Sequence, residues 1–174
     1  SWVDVNNEQG AAMAVPHLYS RGYQRVAYLG GDESAGFVKR RLKGYRGALR
    51  GGNTPVYLQT DGSIQAAGDA ALKAMATPEA PDAFLCNDNL TAFGALKALK
   101  TAGWAVPRQV GLAVFDDYPL AAFTEPPLTA VNVDTAMLGE ETALLLFQRI
   151  ERHVTNRQTM LCTTLIERES TCRM

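Results

Sequence analysis

Acidic, amide and hydroxyl side chains gather at four places where a short apolar run ends: Gly30-Gly31-Asp32-Glu33-Ser34, Thr60-Asp61-Gly62-Ser63, Asn87-Asp88-Asn89 and Asp116-Asp117. Such groups accept and donate hydrogen bonds in fixed directions, which suits the hydroxyls of a sugar or the edge of a base. Arg41 falls about one turn into the helix expected after Gly36, close enough to swing its guanidinium toward the same place, and Phe37 can offer an apolar wall. The candidate ligand contacts are therefore Arg41, Asn87, Asp116, Phe37 and Ser63. Asn87 and Asp88 read equally well as caps of the next helix, and Lys39-Arg40-Arg41-Lys43 as a solvated helix face. A cap does not account for Asp116-Asp117, because no helix start follows them directly.

The same carboxylates raise a second chemistry, since Asp88, Asp116 and Asp117 could hold Mg²⁺ as hard oxygen ligands and support phosphoryl transfer. Other enzyme patterns are missing. Gly30-Gly31 fits neither the G-x-G-x-x-G nor the P-loop spacing, and there is no G-x-S-x-G elbow. A histidine base would have to be His17 or His153, and both fall within expected helices away from the strand ends. No catalytic residue, cofactor or metal site is expected.

The elements that must carry these residues are legible from hydrophobic pattern. The runs Arg25-Val-Ala-Tyr-Leu29, Pro55-Val-Tyr-Leu58, Asp82-Ala-Phe-Leu-Cys86 and Gln109-Val-Gly-Leu-Ala-Val-Phe115 begin 30, 27 and 27 residues apart, the length of a βαβ step. They do not alternate polar with apolar, as expected of strands buried on both faces of a parallel sheet. Between them Val38 to Arg50, Ile64 to Met75 and Leu90 to Thr101 space their apolar residues like helix faces. The fold class is α/β, a doubly wound parallel sheet, in which ligands bind outside the carboxyl ends of the strands. A first helix from about Glu8 to Ser20 is expected to bend or start late, because Pro16 falls inside it. After an extended Leu128 to Val133, a helix from Thr135 to about His153 carries Leu144-Leu145-Leu146-Phe147 and should be buried on two sides. Leu161 to Ile166 reads as one closing strand.

The 174 residues suit one globular unit, and 47% hydrophobic with 20% charged residues exclude a disordered or collagen-like chain. No apolar run reaches a membrane span. Seventeen basic and eighteen acidic residues give a net charge of −1, which argues against a strongly nucleic-acid-binding surface within these residues. Cys86, Cys162 and Cys172 form an odd set with no C-x-x-C spacing, a usage that leans toward a reducing compartment. The first residue is not Met, and the chain opens on the strand-like Trp2 to Val5, so the expectation is the later part of a longer protein or a processed one.

In order along the chain stand Val3-Asp4-Val5-Asn6-Asn7-Glu8-Gln9-Gly10, His17-Leu18, Gly22 to Gly31, Arg41-Leu42-Lys43-Gly44-Tyr45, Pro81 to Asp88, Gly103-Trp104-Ala105-Val106-Pro107, Phe115-Asp116-Asp117, Pro126 to Val131, and Glu167-Arg168-Glu169-Ser170-Thr171. This series resembles the effector-binding and dimerisation domain of the LacI/GalR family of bacterial transcriptional repressors, over nearly the whole chain. Each motif is weak alone, and the ordered series is specific.

The resemblance implies a periplasmic-binding-protein type I fold: two Rossmann-like lobes joined by three crossovers, a small effector between them, and a DNA-binding helix-turn-helix in front. Effector binding in such proteins changes the lobe arrangement and with it the spacing of paired DNA headpieces. It further implies that Arg41 contacts the effector, with Asn87 and Asp116 as the asparagine and aspartate after the third and fourth strands. The family often has an aromatic where Ser63 stands, and Pro16 is also a departure. By analogy residues 1–9 are a remnant of the first lobe and crossover, 10–132 the second lobe, 133–159 a first-lobe helix, and 160–174 the last strand of the second lobe and the tail. The implied partners are a sugar effector, operator DNA through a helix-turn-helix outside this chain, and a second copy in a homodimer, in the cytoplasm and without membrane contact. A periplasmic sugar-binding protein of a transport system is the alternative reading.

Overall fold

The computed structural model of the protein describes residues 1–151 and 156–173. Strand β1 (Trp2–Val5) leads into helix α1 (Asn7–Ser20). Strands and helices then alternate: β2 (Val26–Leu29), α2 (Gly36–Ala48), β3 (Val56–Leu58), α3 (Ile64–Met75), β4 (Ala83–Cys86), α4 (Asn89–Thr101) and β5 (Gly111–Phe115). After a 3-10 turn at Pro119–Ala122 come β6 (Thr129–Asn132), α5 (Thr135–Ile150), β7 (Gln158–Leu161), β8 (Thr164–Ile166) and a second 3-10 turn at Glu169–Thr171. His153, expected inside the last helix, lies outside the described residues.

The four predicted runs form β2 to β5 of a sheet ordered β3-β2-β4-β5-β6-β8, parallel throughout except for antiparallel β8. Side chains alternate across a strand, so each strand feeds two cores. Leu29, Phe84, Cys86, Leu112 and Val114 face α3 and α4, while Tyr28, Leu85, Ala113 and Phe115 face α1 and α2. Strands buried on both faces have no polar alternation, and that is the pattern the runs showed. The helices approach closely where they carry glycine. A side chain at Gly94 of α4 would overlap the Ile64 carbonyl at the start of α3, and one at Gly44 of α2 would overlap the Glu8 carbonyl of α1.

Three expectations change. Helix α1 starts on time and runs through Pro16, whose ring is exposed, as is Ala12, the residue whose carbonyl loses its hydrogen bond to the missing Pro16 N–H. Water can satisfy that carbonyl, so the proline does not delay the helix. The expected single strand from Leu161 to Ile166 is two: β7 pairs with β1 in a separate two-stranded parallel sheet, and β8 pairs with β6. The 159/160 boundary therefore falls inside β7, and the 9/10 boundary inside α1. Finally, α5 is covered on one side only. It rests on β1 with Leu145 buried, while Leu144, Leu146, Phe147 and Ile150 are exposed, because a two-stranded sheet offers too little surface to cover the rest. Among the described residues no helix is long and apolar enough to cross a membrane.

Candidate functional site

The chain order reverses between β2 and β4: from β2 it winds outward to β3, and from β3 it crosses back to β4 on the other side. In open parallel sheets that switch point leaves a crevice at the carboxyl edge. The loops after β2, β3, β4 and β5 converge on it, bringing Gly31-Asp32, Gln59 to Gly62, Asn87-Asp88 and Asp116 to the same edge.

Arg41 is the centre of the arrangement. It is 6% exposed, and a buried cation must be paired and hydrogen-bonded to be tolerated. Its Nε donates to Asn7 Oδ1 at 2.7 Å, Nη1 to the Asn87 carbonyl, and Nη2 to both Asp116 carboxylate oxygens at 3.2 and 3.4 Å. The centre of the Phe115 ring lies 4.0 Å from the guanidinium carbon and that of the Phe37 ring 5.2 Å, so the cation meets two aromatic rings. These hydrogen bonds and the two rings fix its orientation, and Nη1 keeps a second N–H beyond the one given to the Asn87 carbonyl.

Asn87, also buried, accepts from the Tyr28 hydroxyl at 2.8 Å and donates to Asp88 Oδ2 at 2.9 Å. Burial pushes the Tyr28 hydroxyl well above its ordinary pKa, so it remains a donor. Gly31 makes room for this amide. It has φ +75°, and a Cβ there would come within 3.0 Å of the Asn87 side chain. Asp116 is the only non-glycine residue with positive φ among the described residues, at 68°. Aspartate tolerates that conformation better than most side chains, and here it keeps the carboxylate on Arg41 while half of it faces solvent.

Phe37, on the first turn of α2, forms a wall between two hollows. The nearer, of about 660 Å³, is lined by Asn7, Arg41, Asn89, Asp116 and Tyr118 among others. The farther, of about 560 Å³, is lined by Gly31, Asp32, Gln59, Thr60, Asp61, Asn87 and Asp88 among others. The structure thus brings Arg41, Asn87, Asp116 and Phe37 together. Ser63 is set apart: its Oγ accepts from the Ala66 N–H at 3.1 Å and caps α3, and it lines neither hollow.

The carboxylates that a Mg²⁺ site would need are held apart by other partners. Asp88 caps α4 by accepting from the Thr91 N–H at 2.8 Å, Asp116 is held by Arg41, and Asp117 is gripped by Arg168 at 2.7 and 2.9 Å. Each carboxylate has a separate partner, and among the described residues no three His, Cys, Asp or Glu side chains stand together as a metal site. This removes the geometric basis for the Mg²⁺ reading.

Sequence reasoning missed Asn7, Asn89 and Phe115. Phe115 was within reach, because strand alternation puts it on the α1/α2 face where Arg41 sits. Asn7 stands beside Asn6, the true cap of α1, which accepts from the Gln9 N–H at 3.0 Å, and nothing in an Asn-Asn pair says which member caps. Asn89 donates to the Asp116 carbonyl at 2.7 Å, and a bond to main chain leaves no mark in sequence.

The fold has relatives among known proteins. The profile of the periplasmic binding protein-like domain matches residues 15–171. The HTH-type transcriptional repressor CytR of Escherichia coli K12 is 32% identical over 174 residues, covering 97% of this chain and 51% of that protein. The HTH-type transcriptional regulator CelR of Thermobifida fusca is 33% identical over 180 residues, covering 98% and 52%. The chain thus spans about half the length of the curated relatives it matches. Among solved structures, a complex of the transcriptional regulator CelR with cellobiose superposes with a TM-score of 0.88 at 31% identity, covering 98% of this chain and 54% of that one. A regulatory protein of the LacI family from Chloroflexus aggregans superposes with a TM-score of 0.89 at 26% identity, covering 98% and 63%. With its doubly wound sheet, its crevice at the switch point and these relatives, the chain belongs to the periplasmic binding protein-like domain family, in the form it shares with the LacI-family transcriptional regulators.

Proposed function

We propose that this chain is the effector-sensing part of a LacI-type transcriptional regulator and that it binds a sugar in the hollow lined by Arg41 and Asp116. The observation that carries the reading is the buried Arg41, pinned by Asn7, Asn87 and Asp116 and set against the rings of Phe37 and Phe115 at the carboxyl edge of the sheet. A fixed donor beside a half-exposed carboxylate and an aromatic wall pairs with the donor, acceptor and apolar faces of a sugar ring. The cellobiose-bound relative supports a sugar as the effector. Ser63 acts in this reading by holding the 59–62 loop through its cap on α3.

The same reading makes the chain a non-enzymatic binding domain of the cytoplasm, with operator DNA contacted by a helix-turn-helix outside these residues. The names of the relatives, all regulators, support it over a transport receptor. The separate β1–β7 sheet with α5 supports their assignment to a first lobe and the six-stranded sheet to a second. Homodimerisation is assigned to the α4 and 118–123 surface, where Leu90, Tyr118, Leu120 and Phe123 are exposed.

The test is thermal unfolding with and without sugars, comparing the chain with Asp116→Asn. Asparagine is the informative substitution: alanine at φ 68° would add backbone strain, whereas asparagine tolerates it and removes only the charge. A sugar at about 100 times its Kd is expected to stabilise the parent by about 2.7 kcal/mol. Asp116→Asn is expected to lose most of that shift while remaining folded without ligand, and undiminished sugar affinity in the variant would overturn the assignment.

A further inference from the structure

Strand β3 is an open edge of the six-stranded sheet. The Leu58 carbonyl accepts from the Gly30 N–H at 2.9 Å and so points toward β2; by alternation the N–H and C=O of Tyr57 point away from the sheet. Beside this edge runs a groove made of two hollows, of about 470 and 480 Å³, that share Val56, Pro78, Glu79 and Pro81. Leu58 and Ala74 extend one end of it, and Arg25 and Thr54 form the other, at the amino ends of β2 and β3. Val56 is 37% exposed, whereas every residue of the adjoining β2 is buried.

Arg25 gives the groove a polar end. Its Nε donates to the Ala80 carbonyl at 2.7 Å, which anchors the guanidinium at the rim. Asp82 does not neutralise it, because that carboxylate accepts from the Gln24 and Arg25 main-chain N–H groups and pairs with Arg173. Among the described residues no carboxylate pairs with Arg25, so its Nη1 and Nη2 donors are left for a partner. An open strand edge beside an apolar groove is the geometry of strand addition, in which main-chain bonds hold an extended peptide and alternate side chains enter the groove. Three residues with Pro55 in front allow few main-chain bonds, so an added segment must draw affinity from its side chains and its end. A segment antiparallel to β3 finishes at the level of Arg25, where a terminal carboxylate meets the guanidinium fork through two hydrogen bonds. Antiparallel edges on parallel sheets are common, and β8 already forms one at the opposite side. The exposed Glu79 on the same rim favours a basic side chain near that end and disfavours a polyanion such as nucleic acid.

We infer that the β3 edge docks the carboxyl-terminal end of an extended partner peptide. Its main chain pairs with Tyr57, its apolar side chains lie against Val56 and Pro78, and its terminal carboxylate sits on Arg25. Random peptides of about five residues, displayed with free carboxyl ends, are selected against the chain, and the most enriched sequence is synthesised as the free acid and as the amide. Fluorescence anisotropy is expected to show the acid binding about tenfold or more tighter than the amide. Arg25→Met should remove that difference, and Arg25→Lys, which keeps the charge without the fork, should retain part of it. Val56→Lys, at a position already open to solvent, should abolish binding of both forms, with circular dichroism showing that each variant is folded. Equal binding of acid and amide, a selected peptide indifferent to Arg25→Met and Val56→Lys, or no enrichment over the starting pool overturns the inference. So does a dimer in sedimentation that Val56→Lys dissociates, since a second copy would then occupy this edge.

Discussion

Phe84 and Phe147 are the same residue type in two parts of this molecule. Phe84, on β4, is fully buried between the sheet and α3/α4, whereas Phe147, on α5, is 62% exposed. The difference extends to their surroundings. The six-stranded sheet is covered on both faces by helices that meet at glycines, and it holds both hydrophobic cores. The β1–β7 pair offers α5 one small surface, and Leu145 is the only residue of that sixteen-residue helix to be buried. Apolar sequence is therefore not the same as core: what distinguishes the two regions is the amount of partner surface the chain supplies to each.

The sharpest way to break this comparison is to truncate both rings. Phe84→Ala is expected to lower unfolding free energy by about 3–5 kcal/mol, the transfer cost of the ring plus the cavity it leaves. Phe147→Ala should stay within about 0.5 kcal/mol, because little of its surface leaves the solvent. Urea unfolding of both variants measures the contrast. A comparable loss in Phe147→Ala would show that α5 is covered in solution.

A smaller effect separates the ion pairs of the two regions. Arg168 grips Asp117 with two hydrogen bonds and also donates to the Leu128 carbonyl at 2.8 Å, tying the tail to the loop after β5; both side chains of the pair are less than one-fifth exposed. Arg157 pairs with Glu141 on α5 at 2.6 Å in a more open setting. Arg168→Met should cost about 2 kcal/mol, since it strands a carboxylate that water reaches poorly. Arg157→Met should cost well under about 1 kcal/mol. Equal losses, read by the same urea titration, would mean that the two regions unfold as one tightly coupled unit.

How much of this was legible in the sequence follows the same division. Strands β2 to β5 and the three helices between them could be read because burial on both faces leaves continuous apolar runs at a βαβ interval. The division of the expected strand Leu161 to Ile166 between β7 and β8 could not. The stretch is uniformly strand-like, and only the register that sends Leu161 to Val5 and Thr164 to Asn132 divides it. At the site, polar strand ends pointed to Asn87 and Asp116, and Arg41 lay within reach. The geometry that fixes Arg41 depends on a main-chain carbonyl and on the ring of Phe115, neither of which announces itself by residue type. Ser63 illustrates the reverse: a serine after a strand reads as a ligand or as a cap, and here its hydroxyl caps.

The smallest effect concerns pH and is confined to the larger sheet. His17, on α1, is buried with Nε2 at 2.8 Å from the Thr171 hydroxyl, which lies 2.7 Å from that of Thr129 on β6, so the imidazole helps hold the tail against the sheet. Burial pushes its pKa below the ordinary histidine value, more than the nearby Glu167 carboxylate raises it, and Arg21 adds to the lowering. As pH falls through about 6.5 the unfolded chain takes up a proton that the folded chain resists, so the unfolded state binds more protons there. The stability contributed by neutral His17 is complete above that pH and is lost as pH falls toward the folded value. Urea midpoints between about pH 7.5 and pH 5.5 should therefore decline with acidification. His17→Gln, which can still bond to Thr171, should flatten the decline. Asp32 and Asp61, whose pKa values are lowered by hydrogen bonds to Ser34 and Ser63, titrate below this window and leave the slope to the histidine. An undiminished slope in His17→Gln would move the pH dependence away from the imidazole.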